Sequence, residues 1–183
     1  MSKALAIQSC LNCGATMTAR REAVQLIGLP SVTAHEAAVW SCPACGAREV
    51  AFDRIDNLHR AVASALVLKR HALASEEIRF LRGLVGLSSE DLARELAVTP
   101  ATWSRWENGR QPMSLTSERL LRFVVHTHLE LLPQYPAGIL APLTATRTPM
   151  RMAFWFNGET WETTVVSDEV RRARRRPRTA ASA

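Results

Sequence analysis

The 183-residue sequence has no apolar run near the ~18 residues that a membrane-spanning helix needs. Its N-terminus (MSKALAIQSCLNCG) carries one Lys and no apolar stretch long enough for a secretion signal, which predicts a cytoplasmic chain. A Ser/His/Asp set, paired carboxylates and a phosphate-cradling glycine loop are all missing, and this argues against an enzyme. The body also lacks charge of one sign. Six of the 23 Lys+Arg lie between Arg171 and Arg178, and the other 17 balance 17 Asp+Glu. The chain therefore reads as a neutral body with a basic tail. That tail has almost nothing apolar to bury, so it should be disordered when free and offer charge to a polyanion.

Cysteine is scarce, but none is unpaired. All four residues sit in two pairs, Cys10-Leu11-Asn12-Cys13-Gly14 and Cys42-Pro43-Ala44-Cys45-Gly46. In a reducing compartment such pairs read as metal ligands and not as disulfides. Two intervening residues let both thiolates reach one ion at about 2.3 Å. The glycine after each pair permits a tight turn whose amides point at the sulfurs. Four thiolates leave no open position, so the site is structural. Zn2+, one per chain on Cys10, Cys13, Cys42 and Cys45, is the first reading. Iron in a similar four-cysteine site is the rival, and the scarcity of aromatics around the pairs counts against it. His35, His59, His71, His126 and His128 show no ligand spacing with the cysteines.

The pattern predicts an α+β protein in five parts. Residues 1–50 form a small zinc-binding β domain. Two Thr/Val/Ala-rich strands, Thr16 to Val24 and Val32 to Trp40, flank a turn at Gly28-Leu29-Pro30, with a short helix over His35 to Ala38 left open. Residues 51–72 form a connecting helix, with Ile55, Leu58, Val62 and Leu66 at helical spacing. Residues 73–132 form an all-α unit. Residues 133–170 hold an irregular segment and a β-hairpin around Asn157-Gly158. Residues 171–183 are the tail. In the hairpin, a two-residue loop pairs Phe154 with Trp161, Met152 with Thr163 and Met150 with Val165. Two strands alone are marginal in water, so this apolar face needs cover.

Capping signals divide the helical unit. Ser75 precedes Glu76-Glu77 as an N-cap with acids in the first turn. Ser88 caps a second helix with Asp91 three residues on. Thr99 caps a third, with Pro100 at its first position, and Gly109 ends it in a left-handed turn. Ser114 or Ser117 starts a fourth. Trp103 and Trp106 are core residues on one side of the third helix. The other side shows Pro100, Ala101, Thr102, Ser104 and Arg105, a small polar surface with one cation that suits a major groove.

In order, CLNCG, CPACG and LRGLVGLSSEDLARELAVTPATWSRWENGRQP resemble the zinc-finger/helix-turn-helix antitoxin family of the MqsA/YgiT type over residues 8–130. The helix-turn-helix is also similar to Xre-type phage repressors. The resemblance implies a homodimer that binds a palindromic double-stranded DNA operator and represses its own promoter, with a toxin partner on the N-terminal domain. The alternative is a stand-alone zinc-containing regulator without a toxin. Carried over by motif position, Pro100, Ala101 and Arg105 take base-reading slots. Thr99 and Asn108 lie near phosphates, Ser89 takes a phosphate-and-base slot, and Thr102 and Arg110 complete the candidate DNA-binding set. Glu107 and Arg82 take positions that resemble a buried ion pair. The family's base-reading Asn is replaced by Ala101, which can offer a thymine only apolar contact. The turn glycine is replaced by Ala97. Nothing beyond about Pro133 carries the resemblance.

Overall fold

The computed structural model describes residues 7–131, 139, 142–147 and 149–165. The expected basic tail, and most of the irregular segment before the hairpin, lie outside the described residues. The chain is α+β. Three strands, β1 (Thr18–Leu26), β2 (Leu29–Ser41) and β3 (Arg48–Ala51), precede five helices. These are α1 (Ile55–Val67), α2 (Ser75–Val85), α3 (Ser89–Glu95), α4 (Pro100–Glu107) and α5 (Leu115–Leu129). Strands β4 (Met152–Phe156) and β5 (Trp161–Val165) follow. No described helix is long and apolar enough to cross a membrane.

The expected strands in the first 50 residues are present: β1 keeps nine residues but starts two later than expected, β2 is longer, and Leu29-Pro30, expected in the turn, belong to β2. β1 and β2 form an antiparallel ribbon closed at Ile27-Gly28, with Leu26 opposite Leu29. Gly28 turns there at φ 81°, in the left-handed region glycine adopts without a Cβ clash. His35 to Ala38 is strand, not helix. Within it, His35 and Glu36 together oppose Ala23, because the register jumps from Glu22↔Ala37 to Val24↔Ala34. Glu36 takes φ 65° at this bulge. Its carbonyl accepts from Arg21 Nη1 (2.6 Å), which also reaches Asp53 Oδ2 (2.5 Å).

β2 carries two partners on its other edge. Its C-terminal part, Ala38–Ser41, pairs antiparallel with β3. Its N-terminal part, Val32–His35, pairs in parallel with Met152–Trp155 of β4. The hairpin is therefore covered within the chain. Its register corrects the expected one. Phe156 opposes Trp161, Phe154 opposes Thr163 and Met152 opposes Val165, around a four-residue loop. Asn157 is the cause: its Oδ1 accepts from the amides of Glu159 (2.9 Å) and Thr160 (2.8 Å), so its side chain closes the turn. A slip of two residues keeps side-chain parity, so Met152, Phe154 and Trp161 are still buried.

One apolar core joins strands and helices. Leu26, Leu29, Val32 and Ala34 of the ribbon share it with Leu58, Val62 and Leu66 of α1, and with Leu81, Leu92, Trp103 and Phe154. The indole N–H of Trp161 donates to Asp53 O (2.8 Å), pinning the hairpin to the start of α1.

Ser88, Thr99 and Ser114 cap α3, α4 and α5 as expected, each accepting from the amide three residues on. Ser75 does not cap α2. It is the first helical residue, and the N-cap is Ala74. Both Ala74 and Glu77 are buried, and Glu77 Oε2 reaches back to the Ala74 amide (2.8 Å). A small side chain fits this interior position, and the acid takes over as acceptor for that amide.

Candidate metal centre and candidate nucleic-acid interface

The cysteine pairs sit on two similar turns at the far end of the β1–β2 ribbon. Cys10 N donates to Ala15 O (2.9 Å) and Gly14 N to Cys10 O (2.8 Å). Cys42 N donates to Ala47 O (2.8 Å) and Gly46 N to Cys42 O (3.0 Å). Gly14 and Gly46 take φ 74° and 75°. The two turns face each other, with Cys10 Sγ 3.6 Å from Cys45 Sγ and Cys13 Sγ 3.5 Å from Cys42 Sγ. All four sulfurs lie within 4.8 Å of one another. A tetrahedron with metal–sulfur bonds of about 2.3 Å has edges of about 3.8 Å, so the quartet fits one ion. Cys10 and Cys42 are buried, and Cys13 and Cys45 are exposed. The Ala47 amide, then the Asn12 side chain, holds the Cys45 thiol down to about 6. At Cys13 the Ala15 amide pulls the same way, but hydrogen bonds with the Cys42 and Cys45 sulfurs push the thiol up to about 12. A bound metal ion would be held by all four sulfurs as thiolates. Four sulfur donors suit zinc or iron and fill a four-coordinate shell. Around them, among the described residues, only Met17 is a further buried apolar residue, with Ala15, Trp40 and Ala47 at the rim.

The second site is built on α3 and α4. The chain leaves α3 at Leu96, and Ala97 takes φ 53° where a glycine is the usual choice. Val98 N then donates to Ala93 O (2.9 Å), closing the α3 terminus. α4 is two-sided. Trp103 and Trp106 are buried edge to face, centroids 6.2 Å apart at 76°. Pro100, Ala101, Ser104, Arg105 and Asn108 occupy the exposed arc, and Thr102 is half-buried. Residues 73–130 match the family model described as "Helix-turn-helix domain". These residues form a helix-turn-helix domain. No curated protein and no solved structure matches the chain.

Within the helix-turn-helix, α3 is the first helix of the motif and α4 the second. Arg105 and Arg110 are exposed, and neither guanidinium has a partner among the described residues. Thr99 Oγ1 accepts from Thr102 N (3.1 Å) and lies 2.9 Å from Thr102 Oγ1. Asn108 Nδ2 donates to Ser104 O (2.8 Å). Ser89 is half-buried, and its hydroxyl donates to Glu107 Oε2 (3.0 Å). Glu107 Oε1 accepts from Arg82 Nε at 2.5 Å, so the ion pair implied by the repressor resemblance is present. Glu107 thus joins α2, α3 and α4 at one carboxylate.

Sequence reasoning missed a second ionic group behind these helices. Glu77 Oε2 receives Lys69 Nζ at 2.6 Å, with both side chains at most 1% exposed. Glu118 Oε1 receives Arg122 Nη2 (2.6 Å) and the Leu73 amide (3.0 Å). Glu118 and Arg122 are fully buried. Arg122 also donates to the carbonyls of Val67, Lys69 and His71. Burial lowers the pKa of Lys69 and of Arg122, and their carboxylate partners oppose the shift. The group fastens the crossover from α1 to α2 onto α5. One signal was available. Glu118, Leu121, Arg122 and Val125 share one helical face at spacings of three and four, so two charges sit at core positions.

Proposed function

We propose that this chain is a zinc-containing, sequence-specific transcription regulator that binds double-stranded DNA as a homodimer and represses its own promoter. The observation that carries it is the two-sided recognition helix: Trp103 and Trp106 fix one face, and Pro100, Ala101, Ser104, Arg105 and Asn108 are exposed on the other. A single short helix reads only a few base pairs, and a two-fold dimer on a palindrome doubles the site. The cysteine quartet holds zinc as a structural ion and supplies no chemistry to a substrate. Within this reading the protein is the antitoxin of a toxin–antitoxin operon, with the toxin on the metal-bearing ribbon. That role rests on the order of the cysteine pairs and the helix-turn-helix.

A stand-alone regulator is the second reading. It is favoured by β4 and β5, which lie outside the antitoxin resemblance yet complete the sheet. Co-expression with the product of the adjacent gene separates the two, because only an antitoxin forms a stable complex with it and relieves its toxicity.

The DNA reading is tested by selecting duplexes from a random-sequence library with the full-length protein. An enriched palindrome is expected. Arg105→Ala should weaken the selected duplex by about 1–3 kcal/mol and relax preference at one base position. Equal loss on every sequence would make Arg105 a phosphate contact, and no enrichment would remove the function.

A further inference from the structure

The stretch before β4 crosses the base of the helical unit like a strap. Thr144 N donates to Arg70 O (3.0 Å), and Ala72 N donates to Thr144 O (3.0 Å). His71 Nδ1 lies 2.6 Å from Thr144 Oγ1. At the other end, Met150 N donates to Glu77 Oε1 (2.8 Å). Between them stands Arg147, whose Nη1 donates to Leu73 O (3.1 Å) and to Glu118 Oε2 (3.3 Å). Its Nη2 donates to Met113 O.

Met113 belongs to the connection between the recognition helix and α5. Apolar packing leaves this connection partly unsupported. A cleft of about 300 Å³ opens between the start of α2, Gly109 and Gln111–Met113, with Arg147 and Pro149 on its wall. Residues 108–112 are exposed, and only Met113 is buried. The loop's own bonds turn back on the recognition helix: Arg110 N donates to Arg105 O (2.9 Å) and Gly109 N to Trp106 O (3.2 Å). Among the described residues, the polar contact from outside α4 and its loop is the guanidinium on the Met113 carbonyl, which ties it to Leu73 and Glu118, while the Met113 side chain packs into the main core. Arg147 itself lies beyond the residues that match the helix-turn-helix family.

We propose that Arg147 is a positioning residue for DNA recognition. By holding Met113 against the start of α2 and α5, it sets where the recognition helix ends and how Arg105, Asn108 and Arg110 are presented. The inference rests on the DNA-binding reading of α4, so its first test is made without DNA. In full-length, metal-loaded protein, Arg147→Gln should raise amide exchange at Gly109, Arg110 and Gln111 by about tenfold or more, with Val62 and Leu92 unchanged. Arg147→Lys keeps one charged donor head and should restore part of the protection. Arg60→Gln removes another guanidinium–carbonyl contact, to Glu130 (3.2 Å), and should leave the loop as it is.

In the second arm, each variant is titrated with the duplex that wild type selects and with a mismatched one. Arg147→Gln should lose about tenfold in affinity and narrow the gap between the two duplexes, whereas Arg60→Gln should do neither. Unchanged loop exchange overturns the proposal. A uniform rise across the whole chain also overturns it, making Arg147 a general stabiliser. Faster loop exchange with unchanged duplex preference removes the role in recognition while the DNA reading stands. If wild type selects no duplex, the DNA reading itself has failed, and the positioning role falls with it.

Discussion

The two ends of β2 are held by different physics. At Ser41 the strand runs into Cys42, where four sulfurs converge beside a satellite cluster with one further buried apolar side chain, Met17. At Leu29 the same strand enters the main core, under Leu58, Leu66 and Phe154. The first end buries little apolar surface, so an ion on the four sulfurs would have to supply what packing supplies at the second. One strand thus links a cysteine-rich module to a packed one. Behind the packed module a third kind of restraint appears, carboxylates with no exposure that gather charged side chains and backbone amides.

Removing the metal should separate the two ends most sharply. Metal binding at such sites contributes on the order of 10 kcal/mol, so chelation or Cys42→Ser should abolish amide protection over residues 8–17 and 40–48. Leu92, Trp103 and Leu121 should keep theirs. Equal loss in both regions would show one cooperative unit. Elemental analysis of reduced protein should find one zinc per chain.

A smaller effect is expected from the buried charges. Glu118→Gln strands Arg122 and should cost roughly 3–5 kcal/mol in denaturant unfolding, leaving zinc content unchanged. Glu107→Gln should cost less, about 1–3 kcal/mol, because the Arg82 side chain keeps 28% of its exposure and can be resolvated. Thermal melts in which Glu107→Gln matches wild type would remove the ion pair as a tie between α2 and α4. The smallest change should be a gain. Ala97 sits at φ 53°, and Ala97→Gly should stabilise by up to about 1 kcal/mol, the relief of the left-handed conformation less the entropy that glycine adds to the unfolded chain. A destabilised glycine variant would mean that the Ala97 methyl makes a contact that matters more than its backbone.

Much of the site was legible because its signals are local. The Cys-x-x-Cys-Gly spacing carries both the ligand set and the turn that aims it. Ser88, Thr99 and Ser114 each satisfy an amide three residues away, within one turn of chain. Trp103 and Trp106 declared the buried side of α4 through their spacing. The errors came where a local signal had a competitor. Ser75 looked like a cap, yet Glu77, turned inward by its ion pair with Lys69, bonded the Ala74 amide instead. Asn157-Gly158 looked like a two-residue turn, yet the Asn157 side chain closed a longer loop.

The sequence by itself determined the α+β order, the cysteine quartet, the helix-turn-helix and the buried face of the hairpin, because spacing and parity are properties of a few consecutive residues. Only the tertiary structure decided the parallel pairing of β2 with β4, the bulge at Glu36, and the meeting of Glu77, Glu118 and Arg147 behind the helices. Those outcomes depend on which segments, from 13 residues apart at the bulge to 120 at the β2–β4 pairing, come to share an edge or an interior. Burial makes an unpaired polar group costly, so most of those enclosed there take a partner from whichever segment is at hand.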